Sequence, residues 1–283
     1  MKIAVTGANG YIGKHVIEAL KKTKHTIIPV DINKTFNCIN ADILSGSPQI
    51  YQSLLAPDAL IHLAWKDGFN HNAESHIENL HSHFLFLKNM IDSGCSNITV
   101  MGTMHECGFI EGMIDDSTAC NPLSLYGIAK NALRQMLTVY TKDKNISLKW
   151  LRAFYITGDD QNNKSVFSKI LELAQQGKET FPFTSGKNKY DFIEINQLAE
   201  QISAASIQTE ITGIINVCSG KAISLKDKVE DFLIQNNLSI RPNYGTFPDR
   251  PYDSQIVYGN TDKIKKILEK QLENNLLSRD QKC

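Results

Sequence analysis

Short apolar runs rich in Ile and Val alternate, over about the first 160 residues, with segments whose apolar residues recur at helical spacing. This alternation predicts the strands of a parallel sheet joined by crossover helices. The predicted strands are residues 2–7, 26–31, 59–65, 97–103 and 147–154. Because these runs are continuously apolar, we expect an α/β fold whose doubly wound parallel sheet is covered on both faces.

The pattern loosens after residue 158, where a helix is predicted over residues 164–177 and a strand over residues 213–219. No internal repeat or low-complexity segment interrupts the chain. We therefore expect a dinucleotide-binding domain followed by a smaller C-terminal, substrate-binding lobe. The domain is expected to comprise residues 1–158 with a returning segment near 191–220, and the lobe residues 159–190 and 221–283.

Four closely spaced histidines fall at or near the helix predicted over residues 72–91; they are His71, His76, His81 and His83. Consecutive members lie five or two residues apart, so they point to different faces of a helix, unlike metal ligands at i and i+4. We expect solvated histidines here and no metal site.

The amino-acid composition excludes some classes of binding partner. Lys plus Arg (30) equals Asp plus Glu (30), so no net field attracts nucleic acid or an anionic membrane. The six cysteines form no CxxC pair, which favours small apolar side chains in a reducing compartment. No apolar run reaches the ~18 residues of a membrane span, and the first residues are too short a run for a signal peptide. A soluble, cytoplasmic protein is expected.

The first predicted strand leads directly into "TGANGYIG", in which Gly7, Gly10 and Gly13 are spaced three apart. Glycines here allow a tight turn and a close approach to a pyrophosphate at the helix N-terminus. The second strand ends in Asp31, 18 residues after Gly13, near the ~20 expected for a carboxylate on the adenosine ribose. Such a carboxylate repels a 2′-phosphate, so NAD(H) is favoured; nearby Lys34 keeps NADP(H) as an alternative.

The stretch "NPLSLYGIAKNAL" predicts a helix that Asn121 caps and Pro122 opens. Tyr126 and Lys130 then lie one turn apart on one face. A neighbouring ammonium lowers the pKa of a phenol toward the working range, so Tyr126 could donate a proton, and Lys130 could also hold the nicotinamide ribose. Thr103 ends a strand, where α/β sheets bind ligands, and could hydrogen-bond the substrate oxygen.

Taken together, the motifs resemble those of the extended short-chain dehydrogenases/reductases of the NAD-dependent epimerase/dehydratase type, over essentially the whole chain. That family comprises nucleotide-sugar epimerases, dehydratases and reductases with a Rossmann fold. The matching stretches are "TGANGYIG" to TGxxGxxG, "HLAW" to HLAA, "YGIAK" to YxxxK, "LRAFYITG" to LRxxNVYG, "YDFIEI" to RDFIYV and "INVCSG" to YNVGSG, with "ADI" carrying the acid that meets the adenine.

The resemblance implies the site residues. The implied catalytic residues are Thr103, Tyr126 and Lys130, with Asn79 nearby. The implied cofactor-binding residues are Gly7, Asn9, Gly10, Tyr11, Ile12, Gly13, Asp31, Asp42, Ile43, Leu63, Ala64, Tyr126 and Lys130. The implied substrate-binding residues are Thr103, His105, Tyr126, Tyr155, Ser165, Val166, Tyr190 and Arg250. Candidate cations for the sugar-nucleotide phosphates are Lys187, Lys189 and Arg250. Many relatives pair the tyrosine helix across a dimer, so a homodimer is expected.

Several positions depart from the family pattern. Met101 and Gly102 replace a Ser-Ser pair, Tyr155 replaces the NVYG asparagine, and Tyr190 replaces the arginine of RDF. Dehydratases carry Thr-Asp-Glu where this chain has Thr103 followed by Met and His. Because that reaction needs the two carboxylates, a dehydratase is disfavoured.

The predicted function is reduction of a nucleotide-linked 4-keto-6-deoxyhexose, since the stretch around Thr103 and Tyr126 most resembles bacterial reductases that form dTDP-fucose from dTDP-4-keto-6-deoxyglucose for surface polysaccharides. Two alternatives stay open: a 4-epimerase with retained NAD, and a dinucleotide-binding regulator without activity, against which the intact Thr103, Tyr126 and Lys130 argue. His105 is either an acid/base or a polar residue lining the site.

Overall fold

The computed structural model describes residues 1–35, 37–163, 165–249 and 253–280. Its strands are β1 (Lys2–Thr6), β2 (Thr26–Asp31), β3 (Ile39–Asn40), β4 (Ala59–His62), β5 (Asn97–Thr103), β6 (Gly112–Ile114), β7 (Ser147–Ala153), β8 (Tyr155–Thr157), β9 (Thr180–Pro182), β10 (Lys189–Glu194), β11 (Gly213–Val217), β12 (Ala222–Ser224), β13 (Arg241–Asn243) and β14 (Ile256–Gly259). Its α-helices are α1 (Tyr11–Lys21), α2 (Ile50–Ser53), α3 (Ser75–Glu78), α4 (Leu80–Asp92), α5 (Leu125–Thr141), α6 (Val166–Gln175), α7 (Ile195–Ile207), α8 (Leu225–Gln235) and α9 (Asp262–Asp280).

The larger sheet has the strand order β11-β7-β5-β4-β1-β2-β3, and every neighbouring pair is parallel. The chain builds outward from β1 in one direction through β3, then returns to β4 and builds in the other direction. This reversal places a crevice at the carboxyl ends of β1 and β4, where sheets of this kind bind ligands. The predicted doubly wound parallel sheet is confirmed.

Helices cover both faces of this sheet. On one face α1, α7 and α9 enclose a core that includes Ile3, Val5 and Ile215. On the other face α2, α4 and α5 enclose a second core around Phe86 and Trp150. Strands β1, β4, β5 and β7 bury apolar side chains on both sides, which explains why they read as unbroken apolar runs. Within the described ranges, every helix is too short or too polar to span a bilayer.

A second, smaller sheet has the order β12-β10-β14-β6, with β8 added on β10. Its aromatic core includes Phe154, Phe167, Tyr190 and Phe192. Strands β6 and β8 belong to this sheet although both come from residues 1–158, while α9 packs on α7 and β11 of the larger sheet although it comes from residues 221–283. Each of the two sheets therefore includes or is covered by segments from both parts of the chain, because elements far apart in the sequence can pack together.

Two helix predictions need correction. The helix predicted to open at Pro122 begins at Leu125, and its N-cap is Ser124, whose hydroxyl accepts the Gly127 N–H at 3.2 Å. The Asn121 N–H instead donates to the carbonyl of Cys107, which holds this segment as a loop. The helix predicted over residues 72–91 divides into α3 and α4.

Candidate functional site

The glycine turn after β1 packs tightly against the end of β4. Gly7 has a φ of +70°, and a Cβ there would lie 2.8 Å from the backbone nitrogen of Ala64. A Cβ on Gly13 would lie 2.0 Å from the Gly7 carbonyl oxygen, which accepts the Gly10 N–H at 3.0 Å. Only glycines fit these positions, and α1 begins directly after Gly10 with unpaired first-turn N–H groups available to an anion.

Asp31 lies beside this turn at the carboxyl end of β2. Its buried carboxylate accepts the Asn9 N–H at 3.0 Å and the Asn33 N–H at 2.9 Å. Asp42 follows β3 on the surface, with buried Ile43 next to it, and Leu63 continues β4 by donating to the Thr6 carbonyl. The predicted nucleotide residues thus share one edge of the sheet, and a glycine cradle beside a carboxylate fits NAD better than a 2′-phosphorylated nucleotide.

Tyr11 and Ile12 occupy the first turn of α1 and are half-buried. The Tyr11 hydroxyl donates to the Gly158 carbonyl at 2.6 Å, joining the glycine turn to the segment after β8. Lys34, by contrast, is exposed.

The Thr103, Tyr126 and Lys130 side chains lie together at the carboxyl end of β5. The Thr103 hydroxyl is close enough to the Tyr126 phenol to lower its pKa, and Lys130 follows one turn along α5. The buried Lys130 ammonium donates to the Met101 carbonyl at 2.7 Å and lies 3.7 Å from the centre of the Trp65 ring. The same nitrogen is 5.8 Å from the centre of the Tyr126 ring. This arrangement can position and exchange a proton with a substrate oxygen.

The predicted effect of Lys130 on Tyr126 is wrong for this structure. Burial, together with the charge of Glu106, raises the pKa of Tyr126, and the hydrogen bond to Thr103 offsets only part of this rise. Burial lowers the pKa of Lys130 to about 7. The ammonium is directed at the Met101 carbonyl and the Trp65 ring, so the cost of burying a phenolate exceeds its stabilisation by Lys130.

Aromatic side chains surround Tyr126. His71 stacks on it with ring centres 5.1 Å apart, His76 lies at 5.2 Å, and Trp65 and His105 meet it edge-on at 6.3 and 6.5 Å. His76 is fixed from both sides, since its Nδ1 accepts the Trp65 indole N–H at 3.0 Å and its Nε2–H donates to a backbone carbonyl. His76 is therefore neutral, with its proton on Nε2.

The expectation of solvated histidines is wrong for His76 and His83, which are 1% and 2% exposed. The His83 ring stacks on Trp65 at 4.4 Å, and its Nδ1 hydrogen-bonds with His62. Burial lowers the pKa of both His62 and His83, that of His83 to about 3. A signal was present in the sequence: His83 shares the helical spacing of Phe86 and other buried residues of α4.

His71 is half-buried, while His81 is exposed. Among the described residues, no group of three or more His, Cys, Asp or Glu side chains is placed to hold a metal ion.

Glu106 is a buried site residue that the sequence reasoning missed. It follows Thr103 in a 3₁₀ turn, and its carboxylate accepts the Thr103 backbone N–H and the Trp150 indole N–H, both at 2.8 Å. The indole also explains Gly102, because a Cβ there would lie 2.1 Å from its nitrogen. The spacing of Thr103 and Glu106 is that of a capping box, which was the available signal.

The predicted substrate residues divide into two groups. The His105 ring lies 6.3 Å from Tyr155, which in turn lies 4.5 Å from Tyr190, so these three continue the aromatic wall from Tyr126 into the smaller sheet. Burial and the neighbouring His71 lower the pKa of His105 to about 4, so its ring is neutral.

Other predicted contacts lie apart. Ser165 caps α6, where its hydroxyl accepts the Ser168 N–H at 3.2 Å, and Val166 is the first residue of that helix. In the described part of the chain no hydrogen bond or ring contact joins either one to Tyr126. Lys187 and Lys189 are exposed, and Asn79 lies between α3 and α4. Arg250 lies outside the described residues.

Comparison with known proteins identifies the family. Residues 3–218 match the model of the NAD dependent epimerase/dehydratase family. The dTDP-6-deoxy-L-talose 4-dehydrogenase (NAD(+)) of Aggregatibacter actinomycetemcomitans is 43% identical over 272 residues, covering 92% of this chain and 99% of that protein. The GDP-6-deoxy-D-talose 4-dehydrogenase of the same organism is 24% identical, covering 80% of this chain and 76% of that protein.

A solved structure agrees in fold. The UDP-glucose-4-epimerase of Stenotrophomonas maltophila with bound NAD and formylated UDP-arabinopyranose superposes with a TM-score of 0.82, at 16% identity, covering 95% of this chain and 92% of that one. The family match confirms both the resemblance seen in the motifs and the expectation of NAD as cofactor. This chain belongs to the NAD dependent epimerase/dehydratase family.

Proposed function

We propose that this protein is an NAD-dependent oxidoreductase that interconverts the 4-hydroxy and 4-keto forms of a dTDP-linked 6-deoxyhexose. The observation that carries the proposal is the grouping of Thr103, Tyr126 and Lys130 at the carboxyl end of β5, with the Lys130 ammonium 5.8 Å from the centre of the Tyr126 ring. The 43% identity to a dTDP-6-deoxy-L-talose 4-dehydrogenase supports this choice of substrate class.

The proposed cofactor site is the edge formed by the glycine turn, Asp31, Asp42 and the end of β4. Backbone N–H groups after Gly10 would bind the pyrophosphate, and Asp31 would accept hydroxyl hydrogen bonds from the adenosine ribose. NAD, when bound, supplies hydride transfer at the sugar carbon. Lys130 would hold the nicotinamide ribose with donor capacity not used by the Met101 carbonyl.

The proton on the sugar oxygen is assigned to Tyr126. With its pKa raised by burial, the phenol keeps its proton at neutral pH and is ready to donate it to a ketone. Thr103 would orient the same oxygen by a hydrogen bond. In the oxidising direction Tyr126 must accept a proton, and a charged Lys130 would stabilise the phenolate that does so.

The surroundings of Thr103 favour this chemistry over dehydration. Met104 and the neutral His105 occupy the positions where a dehydratase carries its two carboxylates. His105 is assigned as a residue lining the sugar site together with Tyr155 and Tyr190, whose rings suit the apolar face and methyl group of a 6-deoxyhexose.

The experiment is a nicotinamide absorbance assay at 340 nm with a panel of sugar nucleotides. In the oxidising direction, dTDP-6-deoxy-L-talose and dTDP-fucose are compared with NAD⁺ and NADP⁺; in the reducing direction, dTDP-4-keto-6-deoxyglucose is tested with NADH and NADPH. We expect turnover with dTDP-6-deoxy-L-talose and NAD⁺, and a ketosugar product identified by NMR. Turnover with dTDP-fucose instead would assign the reductase of dTDP-4-keto-6-deoxyglucose.

Two outcomes contradict the proposal. Interconversion of 4-hydroxy epimers without net change in NADH would assign a 4-epimerase. Binding of NAD without turnover of any sugar nucleotide would assign a regulator. The Tyr126→Phe variant is the control in every arm, because it removes only the hydroxyl that exchanges the proton.

A further inference from the structure

A buried cluster of charges lies directly beneath the turn that carries Thr103. Glu106 and Arg152 are both 0% exposed, and their closest charged atoms are 3.6 Å apart. Arg134, on α5, approaches the same carboxylate at 3.7 Å. Two guanidinium groups therefore share one carboxylate.

The sulfur of Cys120 completes this cluster. It accepts hydrogen bonds from Arg152 Nη2 at 3.5 Å and from Arg134 Nη2 at 3.8 Å. Cys107 belongs to the buried apolar cluster against which Cys120 packs. The two cysteines are brought together by the backbone, since the Asn121 N–H donates to the Cys107 carbonyl at 3.3 Å.

Charge balance favours the ionised form of Cys120. Arginine stays protonated in proteins, so Arg134 and Arg152 contribute two positive charges, while Glu106 contributes at most one negative charge. An uncompensated charge in a buried cluster is costly, and Cys120 is the other acidic group in direct contact with both guanidinium groups. A thiolate there balances the cluster.

We propose that Cys120 is a reactive thiolate, a modification site for peroxides and alkylating electrophiles, and that Cys107 is the second thiol with which it forms a disulfide. Cys120 is half-buried and so open to small reagents, whereas Cys107 is buried. Interaction with the Cys107 thiol, aided by Arg152 and Arg134, lowers the pKa of Cys120, and the same interaction together with burial raises the pKa of Cys107.

The oxidation proceeds in two steps with hydrogen peroxide as the oxidant. The Cys120 sulfur attacks one peroxide oxygen, the O–O bond breaks, and the departing hydroxide takes up a proton as water, leaving a sulfenic acid. The Cys107 sulfur then attacks the Cys120 sulfur, the S–O bond breaks, and the hydroxide leaves with the Cys107 proton as a second water. Two thiols lose two electrons, and one peroxide is reduced to two waters.

The first test measures alkylation of the reduced, full-length protein by iodoacetamide between pH 5.5 and 9, with peptide mass spectrometry at each cysteine. Cys38 is the internal control: it is also half-buried, but burial raises its pKa. Because its pKa is lowered, Cys120 should react at least about tenfold faster than Cys38 at pH 6, after allowing for the weaker nucleophilicity of a low-pKa thiolate. Reaction of Cys120 that rises only with that of Cys38 at alkaline pH would overturn the proposal.

The arginines and Cys107 are tested by variants. Arg134→Gln, at a side chain that is 17% exposed, should move the midpoint of Cys120 alkylation to higher pH. One equivalent of peroxide should yield a peptide linked through Cys107 and Cys120, also in the Cys38→Ser control. In Cys107→Ser, dimedone should trap a sulfenic acid at Cys120 instead.

Failure to find the linked peptide in the unsubstituted protein, or a disulfide to another cysteine, would overturn the role of Cys107. These readouts need no substrate. A missing sugar-nucleotide activity would therefore leave them unaffected, and their failure would leave the proposed function intact.

Discussion

Two buried lysines lie at opposite ends of the strands of the larger sheet, and the same type of side chain has a different role at each end. Lys149, in β7, is at the amino ends of the strands (the amino edge), and Lys130, in α5, is at their carboxyl ends (the carboxyl edge). Lys149 is 0% exposed and Lys130 3%, and burial lowers the pKa of each to about 7. Burial and ionisation alone do not distinguish them.

The hydrogen-bond partners of the two lysines distinguish them. The Lys149 ammonium donates to three oxygens, those of Asn97, of the Ser147 hydroxyl at 3.1 Å and of the Gln208 carbonyl at 2.9 Å. In the described part of the chain, the Lys130 ammonium donates to one oxygen, that of Met101, and otherwise faces the Trp65 ring. A saturated lysine ties segments together, while one with a spare donor beside a tyrosine is suited to a ligand.

The largest expected effect is on catalysis at the carboxyl edge. Lys130→Met should lower kcat for the proposed sugar-nucleotide reaction by about 10²–10⁴-fold, as expected for loss of a group that supports proton transfer. Tyr126→Phe should fall in the same range. Steady-state rates at 340 nm measure both effects. A Lys130→Met enzyme whose kcat is within tenfold of the unsubstituted value would contradict a functional role for Lys130.

Stability should respond at the other edge. Lys149→Met leaves one buried and two partly buried oxygens without this donor, so we expect a loss of about 1–3 kcal/mol in the free energy of unfolding. Because Lys149 is remote from Tyr126, kcat should not change. Urea unfolding of this variant and of Lys130→Met provides the matched pair. Equal stability of Lys149→Met and the unsubstituted protein would contradict a structural role.

The two lysines also differ in how far sequence could predict them. Tyr126 and Lys130 lie four residues apart on one helix, and the glycines of the turn are spaced three apart around the start of α1. Local spacing in the sequence therefore revealed both the tyrosine–lysine pair and the glycine turn. The strands were predicted for the same reason, since a buried parallel strand is a continuous apolar run. Lys149 sits within such a run, and its acceptors Asn97 and Gln208 lie more than fifty residues away.

Contacts between residues far apart in the sequence explain the other site residues that the sequence did not predict. The bond from Trp150 to Glu106 spans 44 residues, and that from His62 to His83 spans 21. No periodicity encodes such pairs. The pKa of Tyr126 was predicted in the wrong direction for a related reason: spacing placed Lys130 nearby, but only the fold shows that burial outweighs its charge.

The free energy of unfolding should depend on pH. Burial lowers the pKa of His62 and His83 below the usual 6.5, that of His83 to about 3, so the unfolded chain binds protons that the folded chain does not. Stability is therefore full above pH 6.5 and falls as pH drops toward 3, by up to about 1.4 kcal/mol per pH unit for each histidine.

Urea unfolding at pH 7, 6, 5 and 4 measures this slope. His83→Gln should make it shallower, while His81→Gln, at the exposed neighbour, is the matched control and should leave it unchanged. An unchanged slope in His83→Gln would show that other groups control acid unfolding.

The smallest effect is expected at Trp65, which covers the Lys130 ammonium. A ring face stabilises a partly buried ammonium by about 0.5–2 kcal/mol, so Trp65→Leu should lower the pKa of Lys130 further, by roughly one unit. If charged Lys130 supports turnover, the high-pH limb of kcat/KM should then move to lower pH. Trp65→Phe keeps a ring face but loses the N–H that holds His76, so its limb should move less. Equal shifts in the two variants would assign the effect to His76 rather than to the ring.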